Sequence, residues 1–294
     1  MTSAPLVALP AVHIVDISGA DAIAFAQAQF SSNLAELPDG HWQWSAWLSA
    51  QGRVRAFFHL LRDDAAHLRL VLRGGTANAL RDALARYVLR AKVTLGASEY
   101  GAFIERETAA GIVNPESPNA MRIERDGGRT ALALPGEPRR RLVLCDSGSV
   151  PADADDSDEA RNANALADID AGLVTLDPAL EDKLLPAWIG LDTLGATSTN
   201  KGCYPGQEIV ARLHFKGGNK RWLHRIAFSA ERLPAPGTAL EAEGGEAGFV
   251  VCSAWTGTGA GAALAVLGER GAGHLQKLSS LGLGLLSAEK IGSR

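Results

Sequence analysis

Cysteine is scarce in this chain, and its three copies lie far apart. Cys145, Cys203 and Cys252 form no CxxC pair, and an odd number of them cannot all pair in disulfides. These counts and spacings exclude a disulfide scaffold, a zinc ribbon and a four-cysteine cluster held by one chain, and we predict no metal site. The sequence also lacks GxGxxG, Walker A, HExxH and GxSxG motifs, which removes the commonest nucleotide-binding, metalloprotease and serine-hydrolase classes.

Charge of one sign is not in large excess either. The 294 residues carry 29 Lys and Arg against 33 Asp and Glu, so nothing in the composition indicates a nucleic-acid or anionic-membrane partner. The N-terminus lacks the basic region of a signal peptide. The longest uncharged stretch, residues 247–268, contains a Gly-rich turn at 256–261 and therefore predicts two strands rather than a membrane helix. We expect a cytoplasmic protein of two or three domains.

The order of the hydrophobic patterns predicts an α+β fold rather than a doubly wound one. Ser18 is predicted to cap a helix that runs to about residue 33, followed by a half-buried strand over 41–48 and a hairpin over 54–72. Thr76 is predicted to cap a second helix. The remaining predictions are strands at 101–105, 130–134 and 141–145, an acidic linker at 146–160, a helix or turn region at 162–200, and strands at 224–229, 248–255 and 262–268. The last three strands indicate a small all-β domain.

Residues 200–225 contain the one cysteine with an activating environment. Pro205 suits the first position of a helix, which would place Cys203 just before a helix N-terminus and two residues from Lys201. Both the helix dipole and the ammonium group favour a thiolate. The alternative is a small core residue beside a tight turn, and the chemistry alone weighs the two equally. Cys145 and Cys252 lie in apolar, strand-like runs and are predicted to be buried structural thiols.

The same segment is basic. From Lys201 to Arg225 there are six Lys and Arg residues against one acid, Glu208. Such a run is usually a solvated face, and the functional alternative is a channel lip that attracts an anionic ligand. His214 and His224 lack metal-ligand spacing and are predicted to be surface or structural histidines.

Residues 201–208 read KGCYPGQE, and residues 210–212 read VAR. This pattern resembles the signature K-G-C-Y-x-G-Q-E followed by V-A-R of the YgfZ family, folate-binding relatives of the glycine-cleavage T-protein, an aminomethyltransferase. Weaker similarity is carried by the QGR at 51–53, by the YVLRxKV pattern at 87–93 and by residues 217–221. The resemblance extends over about residues 10–270.

The resemblance implies a three-lobed α+β architecture with a central folate channel and a C-terminal small β-barrel domain. The implied units are a discontinuous folate-binding domain over 1–45 and 113–220, an inserted α+β domain over 46–112, and the barrel over 221–294. The implied ligand is tetrahydrofolate or a derivative, with polyglutamate tails favoured by the basic run. The implied partners are the iron–sulfur assembly machinery or client iron–sulfur enzymes, and through them tRNA modification, for a protein that is a monomer or weak dimer.

The resemblance also assigns roles to named positions. Cys203 and Lys201 match the family's thiol and nearby lysine and are implied to be the catalytic residues. Asp170 stands where the family's I-E-A-G segment has Glu, and is implied to pair with the amidine edge of the pterin, since a carboxylate accepts two parallel N–H bonds. Otherwise it is a polar residue before a Gly turn. The implied cofactor-binding set is Asp170, Gln51, Arg53, Tyr204, Gln207, Glu208, Arg212, Lys220 and Arg221.

These residues leave open whether the chain is an enzyme. T-protein chemistry needs a carboxylate near the reacting folate nitrogen, and the matching stretch 52–56 has no acid. The leading hypothesis is therefore a tetrahydrofolate-binding accessory protein of iron–sulfur metabolism with Cys203 as its functional thiol. One alternative is a folate-dependent one-carbon transferase or demethylase. The other is a tRNA-binding factor using residues 201–225, against which stand the sparse aromatics and the negative net charge.

Overall fold

Two antiparallel sheets organise the chain. A computed structural model describes residues 6–106, 120–146, 148–242, 245–269, 279–280 and 283–291. Within these residues, nine strands form one sheet and six form the other, and four α-helices pack beside them. The α+β prediction is confirmed.

The nine-stranded sheet contains the predicted strand over 41–48, the predicted hairpin and the later short strands. Its order is β6-β2-β3-β4-β1-β5-β9-β8-β7. The strands are β1 (Leu6–Ser18), β2 (His41–Leu48), β3 (Val54–Arg62), β4 (His67–Leu72), β5 (Thr94–Arg106), β6 (Met121–Arg122), β7 (Glu124–Asp126), β8 (Arg129–Leu134) and β9 (Arg140–Cys145).

The second sheet forms the small barrel predicted for the C-terminal part. Its order is β11-β12-β13-β10-β15-β14, and the two edge strands contact each other, so the sheet curls until it is nearly closed. The strands are β10 (Arg221–Ser229), β11 (Ala239–Ala242), β12 (Gly245–Gly257), β13 (Ala260–Gly268), β14 (Ser279–Ser280) and β15 (Leu283–Lys290). The predicted turn at 256–261 is the β12–β13 connection.

Two of the four helices begin at a side-chain cap. The helices are α1 (Ala22–Gln29), α2 (Ala77–Ala85), α3 (Asp158–Asp170) and α4 (Gln207–Lys216). The N–H groups of Ala79 and Ala160 donate to the hydroxyl oxygens of Thr76 and Ser157, respectively. The capping prediction for Thr76 is therefore confirmed, and the acidic stretch predicted as a linker already becomes helix at Asp158.

The predicted start of α1 is wrong. Ser18 is the last residue of β1, and the helix begins at Ala22 and ends at Gln29. Asp21 occupies the N-cap position without capping the helix, because its carboxylate accepts the N–H of Lys92 at 2.7 Å. A tertiary contact has replaced the local one.

The prediction that β2 is half-buried is also wrong, because both of its faces are covered. Residues 42–48 are all buried. The polar members of the second face satisfy one another: Gln43 Nε2 donates to Ser32 Oγ at 2.8 Å, and that hydroxyl contacts Ser45 Oγ at 2.7 Å. The alternating pattern predicted that one face of β2 would be exposed to solvent. Hydrogen bonds within the core instead allow the polar residues of that face to be buried.

The domain bounds implied by the resemblance stay a prediction. A cut between residues 45 and 46 falls inside β2, which pairs with β3 along its length. The boundary at 112–113 lies outside the described residues. The second sheet begins at Arg221, the residue at which the third unit was predicted to begin. No helix within the described ranges is long and apolar enough to cross a membrane.

Candidate functional site

The signature segment forms a turn that is held mainly by its own side chains. Lys201 Nζ donates to the carbonyl oxygens of Phe30 at 2.6 Å and Ser32 at 2.8 Å. Tyr204 is buried and its hydroxyl donates to the carbonyl of Ser198 at 3.0 Å. Gln207 Nε2 donates to the carbonyl of Lys201 at 3.3 Å. Three of the eight signature residues therefore fix the shape of the turn.

The glycine of the same turn packs against the QGR turn. Gly206 has a φ of 77°, and a Cβ there would lie 2.6 Å from the carbonyl oxygen of Ser49. A Cβ on Gly52, whose φ is 72°, would lie 2.8 Å from Cβ of Ile209. Two motifs that are about 150 residues apart in the sequence thus fit together because neither carries a side chain at the contact.

This geometry corrects the predicted environment of Cys203. Pro205 does not open the helix, because Gly206 is the N-cap residue and the first helical residue is Gln207. Cys203 lies four positions before that residue, and the influence of a helix dipole is concentrated in the first turn. The ammonium of Lys201 is bound to two carbonyl oxygens, and burial lowers its pKa to about 8. The two grounds on which a thiolate was predicted are therefore weaker in the structure.

Exposure is what distinguishes Cys203 from the other two cysteines, and all three are free. Cys203 is exposed, so the alternative of a small core residue is wrong. Cys145 is buried in β9, and burial raises the pKa of its thiol. Burial in β12 raises the pKa of Cys252 to about 11. The prediction of a buried thiol is confirmed for Cys145, whereas Cys252 is only partly buried.

A cavity of about 400 Å³ lies between α4, the end of α3 and the second sheet. Its volume is within the range of small-molecule sites. The wall combines apolar and aromatic side chains with hydroxyl, amide and charged groups: Ala171, Gly172, Pro186, Ala187, Trp188, Ile189, Gly190, Asp192, Thr193, Leu194, Thr197, Thr199, Ile209, Val210, Leu213, His214, Asn219, Trp222, Leu223, Lys290 and Ile291. Thr199 and Ile209 stand on either side of the turn that carries Cys203.

None of the nine residues predicted to bind the cofactor belongs to this wall. Several are immediate neighbours of wall residues: Asp170 precedes Ala171, Glu208 precedes Ile209, and Lys220 and Arg221 lie between Asn219 and Trp222. Gln51, Glu208, Arg212 and Lys220 are exposed, whereas Tyr204 and Gln207 are hydrogen-bonded within the turn. The resemblance therefore identified the right segments, and their assignment to the folate stays a prediction.

Trp188 brings two of the predicted residues together. The guanidinium of Arg53 lies 5.0 Å from the centre of the Trp188 ring, and that of Arg221 lies 5.3 Å from it. Arg53 also donates to the carbonyl of Lys183 at 2.9 Å, and Arg221 pairs with Glu246 at 3.2 Å. Because Trp188 is itself part of the wall, these contacts place two cations beside the cavity. Sequence reasoning missed Trp188.

Asp170, the predicted pterin partner, has a partner inside the protein. Its carboxylate accepts Nε of Arg225 at 2.7 Å, and the side chain is 46% exposed. The nearby carboxylate of Asp168 is much less accessible and bridges two guanidinium groups, with 2.8 Å to Arg73 and 2.8 Å to Arg140. Asp170 therefore joins the end of α3 to β10 beside the cavity, and its role toward a pterin stays a prediction.

Residues 52–56, where T-protein chemistry would need an acid, carry the basic residue Arg55. Arg55 Nε lies 3.0 Å from a carboxylate oxygen of Asp182, and hydrogen bonding to that carboxylate raises the pKa of the guanidinium. An acid from another segment is thus present, but its charge is balanced by Arg55. Across the described ranges, no group of three or more His, Cys, Asp or Glu residues could hold a metal ion.

The fold defines the class of protein first. The chain is similar to the crystal structure of glycine cleavage system aminomethyltransferase T from Bartonella henselae, with a TM-score of 0.68 over 92% of this chain and 80% of that one, at 16% identity. At that identity the similarity establishes the aminomethyltransferase fold alone. No family model matches the chain.

Curated relatives then identify the family. The chain is 31% identical over 245 residues to the tRNA-modifying protein YgfZ of Edwardsiella ictaluri, covering 77% of this chain and 72% of that protein. It is 29% identical over 244 residues to the proteins of the same name from Shigella boydii serotype 4 and Escherichia coli O7:K1, covering 79% of this chain and 74% of each of them. The chain belongs to the YgfZ family.

Proposed function

We propose that this protein binds a reduced folate in the 400 Å³ cavity and acts in the cytoplasm as an accessory protein of iron–sulfur cluster assembly or repair. Cys203 is its functional thiol. The observation that carries the proposal is the position of this exposed cysteine on a turn whose two ends, at Thr199 and Ile209, belong to the cavity wall. A ligand in the cavity would therefore contact the segments that hold the thiol. Three free cysteines also suit a reducing compartment.

The wall residues fit the chemistry of a reduced folate. Trp188, Ile189 and Trp222 offer flat and apolar surfaces for the pterin and aminobenzoyl rings. Thr199 and Asn219 offer hydrogen-bonding groups for the polar edges, and Lys290 offers a cation for carboxylates. Arg53 and Arg221 beside Trp188 extend this positive charge outward, which favours polyglutamylated forms. Such a ligand would either supply a one-carbon group or alter the conformation of the turn that carries Cys203.

Titration calorimetry tests the folate proposal. We expect tetrahydrofolate to bind in the micromolar range, about 8 kcal/mol, and its polyglutamylated form to bind more tightly. Trp188→Ala should weaken binding about tenfold or more, because it removes an aromatic ring of the cavity wall on which the ligand would stack. Phe215→Ala is the matched control, since Phe215 is exposed and lies outside the wall. No heat and no thermal shift with millimolar ligand would overturn the proposal.

The thiol is tested separately from the folate. Cys203→Ser in cells that lack the wild-type protein should lower the activity of iron–sulfur enzymes while tetrahydrofolate still binds the purified variant. Because the side chain is exposed and the substitution conservative, the fold should be retained. Full activity of the iron–sulfur enzymes with Cys203→Ser would exclude a thiol-based role. The folate proposal would be unaffected, because calorimetry tests it independently.

The relatives are named tRNA-modifying proteins. We propose that the link of this chain to tRNA is indirect, through iron–sulfur enzymes that modify tRNA. Aminomethyl transfer is a less favoured function, because the acid that such chemistry needs is replaced by the Arg55–Asp182 pair. A methylated or formaldehyde product from a candidate amine and tetrahydrofolate would reverse this preference.

A further inference from the structure

Helix α4 has two faces with different surroundings. Ile209, Val210 and Leu213 line the cavity. The opposite side displays an exposed stripe formed by Glu208, Arg212, Phe215 and Lys216. Residues three and four positions apart are neighbours on a helix surface, so Phe215 and Lys216 both lie beside Arg212. One ten-residue helix thus separates the cavity from an accessible surface.

Phe215 is the apolar centre of this surface. Its side chain is 72% exposed, although Phe is among the residues that gain most from burial. The adjacent His214 ring stands nearly perpendicular to it, with the ring centres 4.8 Å apart. A single exposed aromatic residue is ordinary on a protein surface, so the charges around Phe215 decide whether this surface is distinctive.

The charges around Phe215 are free. Within the described part of the chain, Arg212 and Lys216, which lie next to Phe215 on the helix, have no ion-pair partner. By contrast, the cations of the adjoining strand are neutralised, since Arg221 pairs with Glu246 and Arg225 with Asp170. Even with the acid Glu208 counted, the exposed stripe on α4 therefore keeps a net positive charge, which an acidic partner would complement.

We propose that the α4 surface, the exposed stripe of Glu208, Arg212, Phe215 and Lys216, docks a partner protein that presents an apolar pocket rimmed by Asp and Glu. The proposal rests on the proposed function in that the partner would be the one that meets the thiol of Cys203. The turn bearing Cys203 leads directly into α4, so a protein seated on this helix would approach the exposed thiol. The opposite face of the same helix, with Ile209, Val210 and Leu213, would contact a ligand bound in the cavity.

A protein fits this surface better than a single-stranded nucleic acid. Proteins that bind single-stranded nucleic acid without sequence preference use several aromatic side chains on which successive bases stack. Of the three aromatics in this segment, Tyr204 is buried and Trp222 belongs to the cavity wall, which leaves Phe215 alone on the surface. One aromatic ring among unpaired cations suits an apolar pocket with an acidic rim.

Fluorescence anisotropy with designed probes tests the proposal on the full chain. The probe is a labelled amphipathic peptide with Glu and Asp on one side and Leu on the other. Matched peptides replace the acids by Gln and Asn, or the Leu residues by Ser, and a single-stranded RNA of similar charge is the fourth probe. We expect the acidic Leu-containing peptide to bind most tightly and to weaken about tenfold as salt is raised.

Two variants locate the binding surface. Phe215→Ala and the double variant Arg212→Glu with Lys216→Glu should each weaken binding of the acidic peptide about tenfold. Leu89→Ala and Arg90→Glu are matched controls in another exposed loop, where Leu89 is 88% exposed, and should have no effect. All of these side chains are exposed, so their replacement should leave folding intact.

Three outcomes would overturn the docking proposal. The first is unchanged peptide binding by Phe215→Ala, or no binding of the acidic peptide at all. The second is tighter binding of the RNA than of the peptide. The third is self-association of the chain that Phe215→Ala abolishes, which would make a second copy the occupant. Tetrahydrofolate titration of Phe215→Ala separates the two proposals, because Phe215 lies outside the cavity wall and its loss should weaken docking while leaving folate affinity unchanged.

Discussion

Gly206 and Gly52 are in direct backbone contact. A Cβ on Gly206 would lie 2.6 Å from the Cα of Gly52 and 2.9 Å from its nitrogen. This contact joins the turn that carries Cys203 to the turn between β2 and β3. The position of the thiol relative to the first sheet therefore depends on the absence of a side chain at Gly206.

We expect Gly206→Ala to destabilise the protein by about 3 kcal/mol. A left-handed backbone costs a non-glycine residue about 1–2 kcal/mol, and the steric clash with Gly52 adds a similar amount. Gly127→Ala is the matched control, because Gly127 also has a positive φ, 54°, and a methyl group added there would meet no atom within 4 Å. It should lose only about 1 kcal/mol. Urea unfolding measures both, and equal losses would contradict the role of the contact.

Thiol labelling under native conditions should modify one cysteine quickly. Cys203 is exposed, whereas burial raises the pKa of Cys252 to about 11 and also raises that of Cys145. Because the thiolate is the reactive form, the buried Cys145 and the partly buried Cys252 should react far more slowly than Cys203. The rapid phase should disappear in Cys203→Ser, and mass spectrometry should assign it to that residue. Rapid labelling of Cys252 in the folded protein would contradict the structure.

The elements that the sequence predicted well are those whose local pattern agrees with their tertiary surroundings. The β3–β4 hairpin and α2 are examples, since Thr76 can cap its helix without help from distant residues. Ser18 and Pro205 failed as helix signals, because the Asp21–Lys92 contact and the Gly206–Gly52 packing lie at the starts of those helices. Local patterns do not contain such contacts.

The candidate site likewise contains residues that the sequence identified and residues that it did not. The sequence singled out Cys203, and its exposure is consistent with a function. It could not identify Trp188 or Lys290 as wall residues, because they come from a turn and a terminal strand that meet only in the folded chain. It also assigned Tyr204 and Gln207 to a ligand, whereas their hydrogen bonds build the turn. A motif residue can be required for shape as well as for contact.

The buried carboxylate of Asp168 should be important for stability. It lies 2.8 Å from Arg73 and 2.8 Å from Arg140, whose side chain is only 1% exposed. We expect Asp168→Asn to cost about 3–5 kcal/mol, because it leaves two buried guanidinium groups without their counter-charge. Asp158→Asn is the control, since that fully exposed carboxylate pairs with Arg161 on the surface of α3, where solvent screens the attraction. Denaturant unfolding of the two variants should differ accordingly, and similar losses would show that Asp168 is not the counter-charge.

His59 should make the protein sensitive to mild acid. Its ring is fully buried, with its centre 5.0 Å from that of Trp42 and 3.9 Å from that of Trp44. Burial, and then the nearby charge of Arg73, hold the pKa of His59 well below its usual 6.5. The unfolded chain therefore binds a proton below pH 6.5 that the folded protein does not, and stability falls as the pH drops, by up to about 1.4 kcal/mol per pH unit.

His59→Gln isolates this contribution. The variant keeps a polar side chain of similar size but cannot titrate, so its free energy of unfolding should fall less steeply below pH 6.5 than that of the wild type. Burial also lowers the pKa of His224, so the variant should keep a smaller acid-dependent loss. Urea unfolding from neutral pH to about pH 5 measures the difference in slope. Parallel curves for wild type and variant would mean that His59 takes up its proton without unfolding.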